Sequence, residues 1–304
     1  DIANHLKAVV VGIPWSGMSE MDAAIMIRDM GSAPAQIVRF GDRVHQAHAN
    51  WIVTSHAVKE QLHLLPELKR PAAEDAPGVL RNDQGQSNAE QSFYDPSWMG
   101  FMGISQGHIL GATQAALNPY WDRIVLNVGG CAFTHMMSRS ANFELYLTLL
   151  ESLTIADPFE RQKMITLMQP AFDRFDPATY AKYVLQEPLA GSPADRRVLM
   201  QTGFADTQVP DFTAQLHARL MGVPVLEPAP MRLWGLETVS SPAPGSAFTY
   251  FHYDVDAEFR QTARPAQGGN EVHEGIRRLA ATKDQLDAFL RPGGVATHPC
   301  DGPC

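Results

Sequence analysis

The sequence predicts an α/β fold: a mostly parallel sheet with helices on both faces and a helical insertion. Three observations carry this. Runs such as "DRIVLNVGG" (residues 122–130) and "RRVLMQTGFAD" (196–206) are continuously apolar, without the alternation of a strand that has one wet face, so they read as strands buried on both sides. Segments of helical spacing separate them, and strand–helix alternation is the mark of parallel crossover units. Between those two strands, residues 131–195 switch to helical periodicity with many methionines and aromatics.

Composition narrows the class. With 304 residues, 45% hydrophobic and 19% charged, the chain has enough apolar material for a full core. A net charge of −9 with no basic stripe argues against a nucleic-acid partner, because nothing is there to neutralise phosphates. No apolar run reaches the ~18–20 residues that would read as a transmembrane helix.

Taken in order, "KAVVVGIPW" (7–15) reads as a first buried strand, ended by Pro-Trp-Ser-Gly. A helix follows over 18–30, with Ser19 as N-cap, Asp22 three residues on and Gly31 as terminator. Apolar positions from Asp42 to Leu68 recur at near-helical spacing, and 70–97, rich in Pro, Gly, Asn, Gln and Asp, reads as a long surface loop. "WMGFMGIS" (98–105) is a strand running into a turn, and "QGHILGATQAAL" (106–117) is the helix after it. Beyond the insertion, the 196–206 strand leads into an amphipathic helix over 209–222. "SAFTYFHYDV" (246–255) gives a further strand, and 274–290 a closing helix stopped by Arg291-Pro292-Gly293.

The stretch from 101 to 107 carries chemistry. Gly103-Ile104-Ser105-Gln106-Gly107 puts glycine two residues either side of a serine, between strand and helix, which suits a sharp bend that exposes the hydroxyl. Asp206 ends the next-but-one strand in "GFADTQVP". His273, in "GGNEVHEG", lies after the last strand and before the last helix. The order is Ser, Asp, His, each beyond a strand end, where reacting groups gather in open α/β sheets.

On these residues the region from Phe101 to Leu290 resembles the α/β-hydrolase fold serine hydrolases, of esterase, lipase or peptidase type. The elbow motif, the aspartate before Val-Pro, the triad order and the position of the insertion all match that superfamily. The resemblance implies Ser105 as nucleophile, His273 as general base and then acid, and Asp206 as the carboxylate holding the imidazole. It also implies an oxyanion donor in the backbone N–H of Gln106. The expected division is a core of 1–130 and 196–304 with a helical cap over 131–195.

Two points depart from the pattern. No His-Gly or Gly-Gly turn precedes Ser105 to supply a second oxyanion donor. Either Ala8–Ile13 matches the superfamily's fourth strand, with an upstream segment completing the sheet, or Trp15 and Ser16 at the Trp15-Ser16-Gly17 turn provide the donor. Rival groups are weaker: Asp211 lies inside a helix, His252 mid-strand, and His108 on the elbow helix reads as structural. His45 and His48 are three apart but lack a third ligand, so no metal and no cofactor is expected. Cys300 and Cys304 bracket a turn-forming Asp-Gly-Pro and form either a small disulfide loop, which would suit an exported protein, or two free thiols.

The reading that results is a capped serine hydrolase cleaving a carboxylic ester of a small-molecule or lipid-like substrate, with an apolar group taken by the methionine-rich cap. The alternatives are a peptidase or amidase using the same triad and a non-catalytic binding protein that kept the fold.

Overall fold

The computed structural model describes residues 2–32, 39–153, 156–260 and 268–304. Its centre is a six-stranded, all-parallel sheet in the order β1-β2-β3-β6-β4-β5. Helices α1 (Ile2–Leu6), α2 (Glu20–Ser32) and α3 (Arg39–Glu60) precede β1 (Gly100–Ile104). Helix α4 (Gln106–Leu117) and β2 (Arg123–Asn127) follow. The insertion then supplies α5 (Phe133–Met137), α6 (Glu144–Leu153), α7 (Pro158–Leu167), α8 (Gln169–Phe172) and α9 (Pro177–Leu185). The chain returns through β3 (Arg197–Gly203), α10 (Asp211–Met221), β4 (Val225–Glu227), β5 (Thr238–Ser240) and β6 (Ala247–Phe251). It closes with α11 (Val272–Arg278) and α12 (Ala280–Phe289).

Strand geometry sorts the core into two layers. Ile124, Leu126, Val198, Met200, Phe248 and Tyr250 point to one face, under Ala112, Ala115 and Ala116 of α4, Ala181 and Val184 of α9, and Ala214 and Ala218 of α10. Their alternates Val125, Leu199 and Ala247 point to the other face, under Leu286 and Phe289 of α12 and Leu6 of α1. Both faces are therefore dry, which explains the continuous apolar runs of β2 and β3.

The insertion divides in two. Helix α9 packs into the sheet layer through Ala181 and Val184, whereas α5 to α8 gather Phe133, Met136, Met137 and Phe172 around Phe40 and Val44 of α3. Asp176 joins the parts: its buried carboxylate accepts from the Ala132 and Phe133 amides at 2.9 and 2.7 Å and also caps α9. The helices of this stretch thus fall into two packing groups, α9 against the sheet and α5 to α8 against α3.

Several expectations need correction. Residues 8–13 are not a strand. They lie outside the sheet, with Val9 and Val10 57% and 61% exposed. A cavity of about 590 Å³, lined by Val9, Val11, Met99 and Gly100, separates them from the β1 edge. β-Branched residues favour strands, but burial needs a neighbouring strand, and among the described residues none stands beside β1 there. The short strands β4 and β5 escaped the sequence reading because each has three residues. Pro224 and Pro228 also bracket β4 with a turn-like composition. The closing helix is broken at Leu279 (ψ 136) into α11 and α12. His252 is not mid-strand. It follows β6, exposed, and stacks on Phe204 at 5.7 Å.

Cys300 and Cys304 form a disulfide, and both pack beside Val272 and Ile276 of α11. Among the described residues no helix is long and apolar enough to cross a membrane.

Candidate active site

Ser105 stands between β1 and α4 at φ 55°, ψ −117°, a region that L-residues avoid and that marks a constrained turn. The constraint comes from close packing of the bend on itself. A Cβ on Gly103 would lie 2.2 Å from the Gly107 carbonyl oxygen, so only glycine fits at 103, whereas a Cβ on Gly107 would meet nothing within 4 Å. The crowding argument holds for the first flank of the motif and not for the second. The Ser105 amide donates to Asn127 O at 2.9 Å, and its carbonyl accepts from the His108 and Ile109 amides, so the turn joins the sheet to the first turn of α4.

Asp206 sits three residues beyond β3 and uses its two oxygens differently. Oδ1 accepts from the Gln208 and Val209 amides at 2.8 and 3.0 Å, an Asx-type turn that fixes the carboxylate's direction. Oδ2 meets Nδ1 of His273 at 2.7 Å, with both side chains almost wholly buried. The turn and the histidine contact therefore use separate oxygens of one carboxylate. Asp211 takes a different partner. Its Oδ2 accepts from the Tyr250 hydroxyl at 2.6 Å and from Gln215, and burial raises its pKa.

His273 is the second residue of α11. Ile104 and Val272, the residues immediately before Ser105 and His273, belong to one apolar cluster with Val128 and Phe251. No hydrogen bond joins Ser105 to His273 in this structure: the carboxylate–imidazole half of the expected relay is closed and the serine half is open.

In front of Ser105 lies a chamber of about 580 Å³, a volume typical of small-molecule sites. Its walls are largely apolar. Met136 and Met137 come from α5, Met164 and Leu167 from α7, Phe172 from α8, Met26 from α2 and Phe40 from α3, with Ser105 and Gln106 at the polar end. The loop before α2 reaches the same end. The Gln106 side-chain amide donates to Met18 O at 2.7 Å, and Met18 and Ser19 line the chamber. One of the two alternatives for the second donor is Trp15 and Ser16. Neither lines the chamber, and Trp15 packs on His48 and Trp51 at 5.5 and 5.3 Å.

The Met18–Ser19 loop is itself braced. Asp22 accepts from the Gly17 and Ser19 amides and the Ser19 hydroxyl, at 2.7, 3.1 and 2.6 Å, and pairs with Arg43. This is the N-cap arrangement that Ser19 and Asp22 announced, now placed against the site.

The remaining histidines face elsewhere. His48 Nδ1 lies 2.8 Å from Gln114 Oε1, and burial lowers its pKa to about 4. His45 contacts the Arg174 carbonyl. His108 is fully buried against His217 at 3.1 Å, and burial lowers the pKa of both. These are packing and hydrogen-bonding roles.

No family model and no curated protein matches this chain. Among solved structures it is similar to acetyl xylan esterase 1 of Thermoanaerobacterium sp., with 13% identity over 83% of this chain and 58% of that one, TM-score 0.39. It is also similar to the acylaminoacyl peptidase of Pyrococcus horikoshii, with 13% identity over 67% of this chain and 25% of that one, TM-score 0.37. An esterase of Pyrococcus furiosus gives 11% identity over 66% and 54%, TM-score 0.34. The chain spans less than two thirds of each of these structures.

Proposed function

We propose that this chain is a serine hydrolase of the α/β-hydrolase type that cleaves a carboxylic ester with a sizeable apolar group. The observation that carries the reading is the buried Asp206–His273 pair at 2.7 Å, with Asp206 in the loop after β3 and His273 on α11 after β6, strands of the same sheet whose β1 leads into the strained Ser105 elbow.

The chemistry follows from these groups. With Nδ1 of His273 committed to Asp206, Nε2 is left to take the Ser105 proton as Oγ attacks the ester carbonyl. Asp206 holds the ring in that tautomer and stabilises the imidazolium as it forms. The carbonyl oxygen becomes an oxyanion near the N-terminus of α4, where the Gln106 amide donates and the helix dipole assists. The imidazolium then gives its proton to the leaving alcohol, and water repeats the sequence to release the acid from the acyl-serine. Methionine walls suit a flexible acyl or alkyl chain, since thioether side chains adapt to varied shapes. Helices α5 to α8 serve as the cap over this chamber.

The test is fluorophosphonate labelling with mapping of the modified residue, followed by rates on p-nitrophenyl esters of two to twelve carbons and on aminoacyl anilides. Labelling at Ser105 with ester rates rising along the series supports the reading. No labelling of folded protein means a binding protein, and faster anilide cleavage means a peptidase.

A further inference from the structure

Asn270 is three residues before His273 and touches both neighbours of Asp206. Its Nδ2 donates to Ala205 O at 2.8 Å. Its backbone N–H donates to Thr207 Oγ1 at 3.3 Å, and the Thr207 hydroxyl lies 3.5 Å from Asn270 Oδ1. The same Oδ1 accepts from the Val272 amide at 3.3 Å, at the start of the helix that carries His273. One side chain therefore joins the loop after β3 to the loop after β6, at the point where the carboxylate and the imidazole meet.

The turn it grips is under strain. Ala205 has φ 61°, a left-handed conformation that costs a residue with a Cβ about 1 kcal/mol or more. Relaxation of Ala205 to negative φ would swing its carbonyl away and turn the Asp206 peptide with it. The Asn270 bond to that carbonyl opposes this. The chemistry also selects the residue type. A donor is needed toward Ala205 O and an acceptor toward the Val272 amide, and a carboxamide offers both on one short stem. Aspartate has the same shape but no donor when ionised.

We infer that Asn270 is a positioning residue that holds the Asp206 turn and the His273 helix in register, so that the imidazole is presented to Ser105 in the working tautomer and orientation. This rests on the hydrolase reading above. It assigns a role to a residue that contacts neither substrate nor the reacting atoms.

The experiment compares the parent with Asn270→Ala, Asn270→Asp and Thr207→Val, each titrated with a fluorophosphonate so that rates are per active site. In Asn270→Ala, kcat is expected to fall about 10- to 100-fold with KM unchanged, the size of effect that small misplacement of a catalytic group produces. Asn270→Asp, isosteric and suited to a case where the alanine variant does not fold, should lose kcat to a similar extent at neutral pH. Thr207→Val should lose less. Unchanged kcat per site in folded Asn270→Ala or Asn270→Asp would overturn the inference. So would a loss confined to the titratable fraction or to melting temperature, which is what a purely structural asparagine gives. A parent that does not label at Ser105 overturns the hydrolase reading instead, and that is seen before any variant is made.

Discussion

The two sides of the site are built from opposite materials. On the side of Asp206 and His273, polar atoms are spoken for: both carboxylate oxygens are engaged, the imidazole is buried, and Asn270 and Thr207 tie the loops together. On the chamber side, methionines, phenylalanines and leucines from six helices meet with few directional contacts. The first side tolerates little displacement, because hydrogen bonds weaken steeply with distance and angle. The second tolerates much, because dispersion contacts can be remade by rotating unbranched side chains. On the proposed hydrolase reading, proton chemistry and substrate choice can therefore vary independently, and changes on each side should read out in different kinetic constants.

The largest expected effect removes the atom common to both sides. Ser105→Ala should take ester hydrolysis to background, a loss on the order of 10⁶-fold in kcat, with the fold intact by circular dichroism. Activity near the parental level would place the chemistry elsewhere.

Next comes the rigid side alone. Asp206→Asn should reduce kcat about 10⁴-fold while leaving KM near its parental value, because the histidine persists in the wrong tautomer. A drop of less than about tenfold would show that the 2.7 Å contact is not the working one.

On the adaptable side the effect should be selective. Met164→Trp fills part of the chamber, and kcat/KM for ten- and twelve-carbon esters should fall about 10- to 100-fold, with the two-carbon ester almost unaffected. Equal losses across the series would mean that the chamber does not hold the chain.

The smallest effect lies beneath both sides, in the support of α4. His48 is held neutral by burial, with its pKa lowered from 6.5 to about 4. The unfolded chain therefore binds the extra proton first as pH falls. Stability from this group is full above pH 6.5 and is lost between 6.5 and about 4, on the order of 1–3 kcal/mol. Denaturant midpoints measured across that range should show the decline, and His48→Gln should flatten it. An equal slope in parent and variant would assign the acid lability to other groups, His217 first.

The sequence showed those parts whose cause is local. β2 and β3 announced themselves because burial on both faces selects unbroken apolar stretches such as residues 124–126 and 198–200, and Ser19 with Asp22 announced a cap because three bonds close within five residues. Residues 8–13 misled for the complementary reason: the same residue types state a preference but not whether a partner strand stands alongside. The break at Leu279 has neither proline nor glycine to mark it. Chain order brought out Ser105, Asp206 and His273 as candidates. Asn270 was invisible, since its meaning depends on Ala205 and Thr207, some 65 residues earlier. Met18 and Ser19 were missed by two or three positions, because the turn at Gly17 (φ 94°) redirects the chain after Trp15.

The divided use of the Asp206 carboxylate has an evolutionary side. An asparagine at 206 keeps an oxygen for the Gln208 and Val209 amides, so the turn and the sheet above it survive, while the proton relay fails. Aspartate and asparagine codons differ by one base. On the proposed hydrolase reading, a lineage carrying this site thus lies a single nucleotide from a folded protein that still encloses the chamber and its ligand but turns it over about 10⁴-fold more slowly. Drift from enzyme to carrier needs no unstable intermediate here, and the reverse step is equally short.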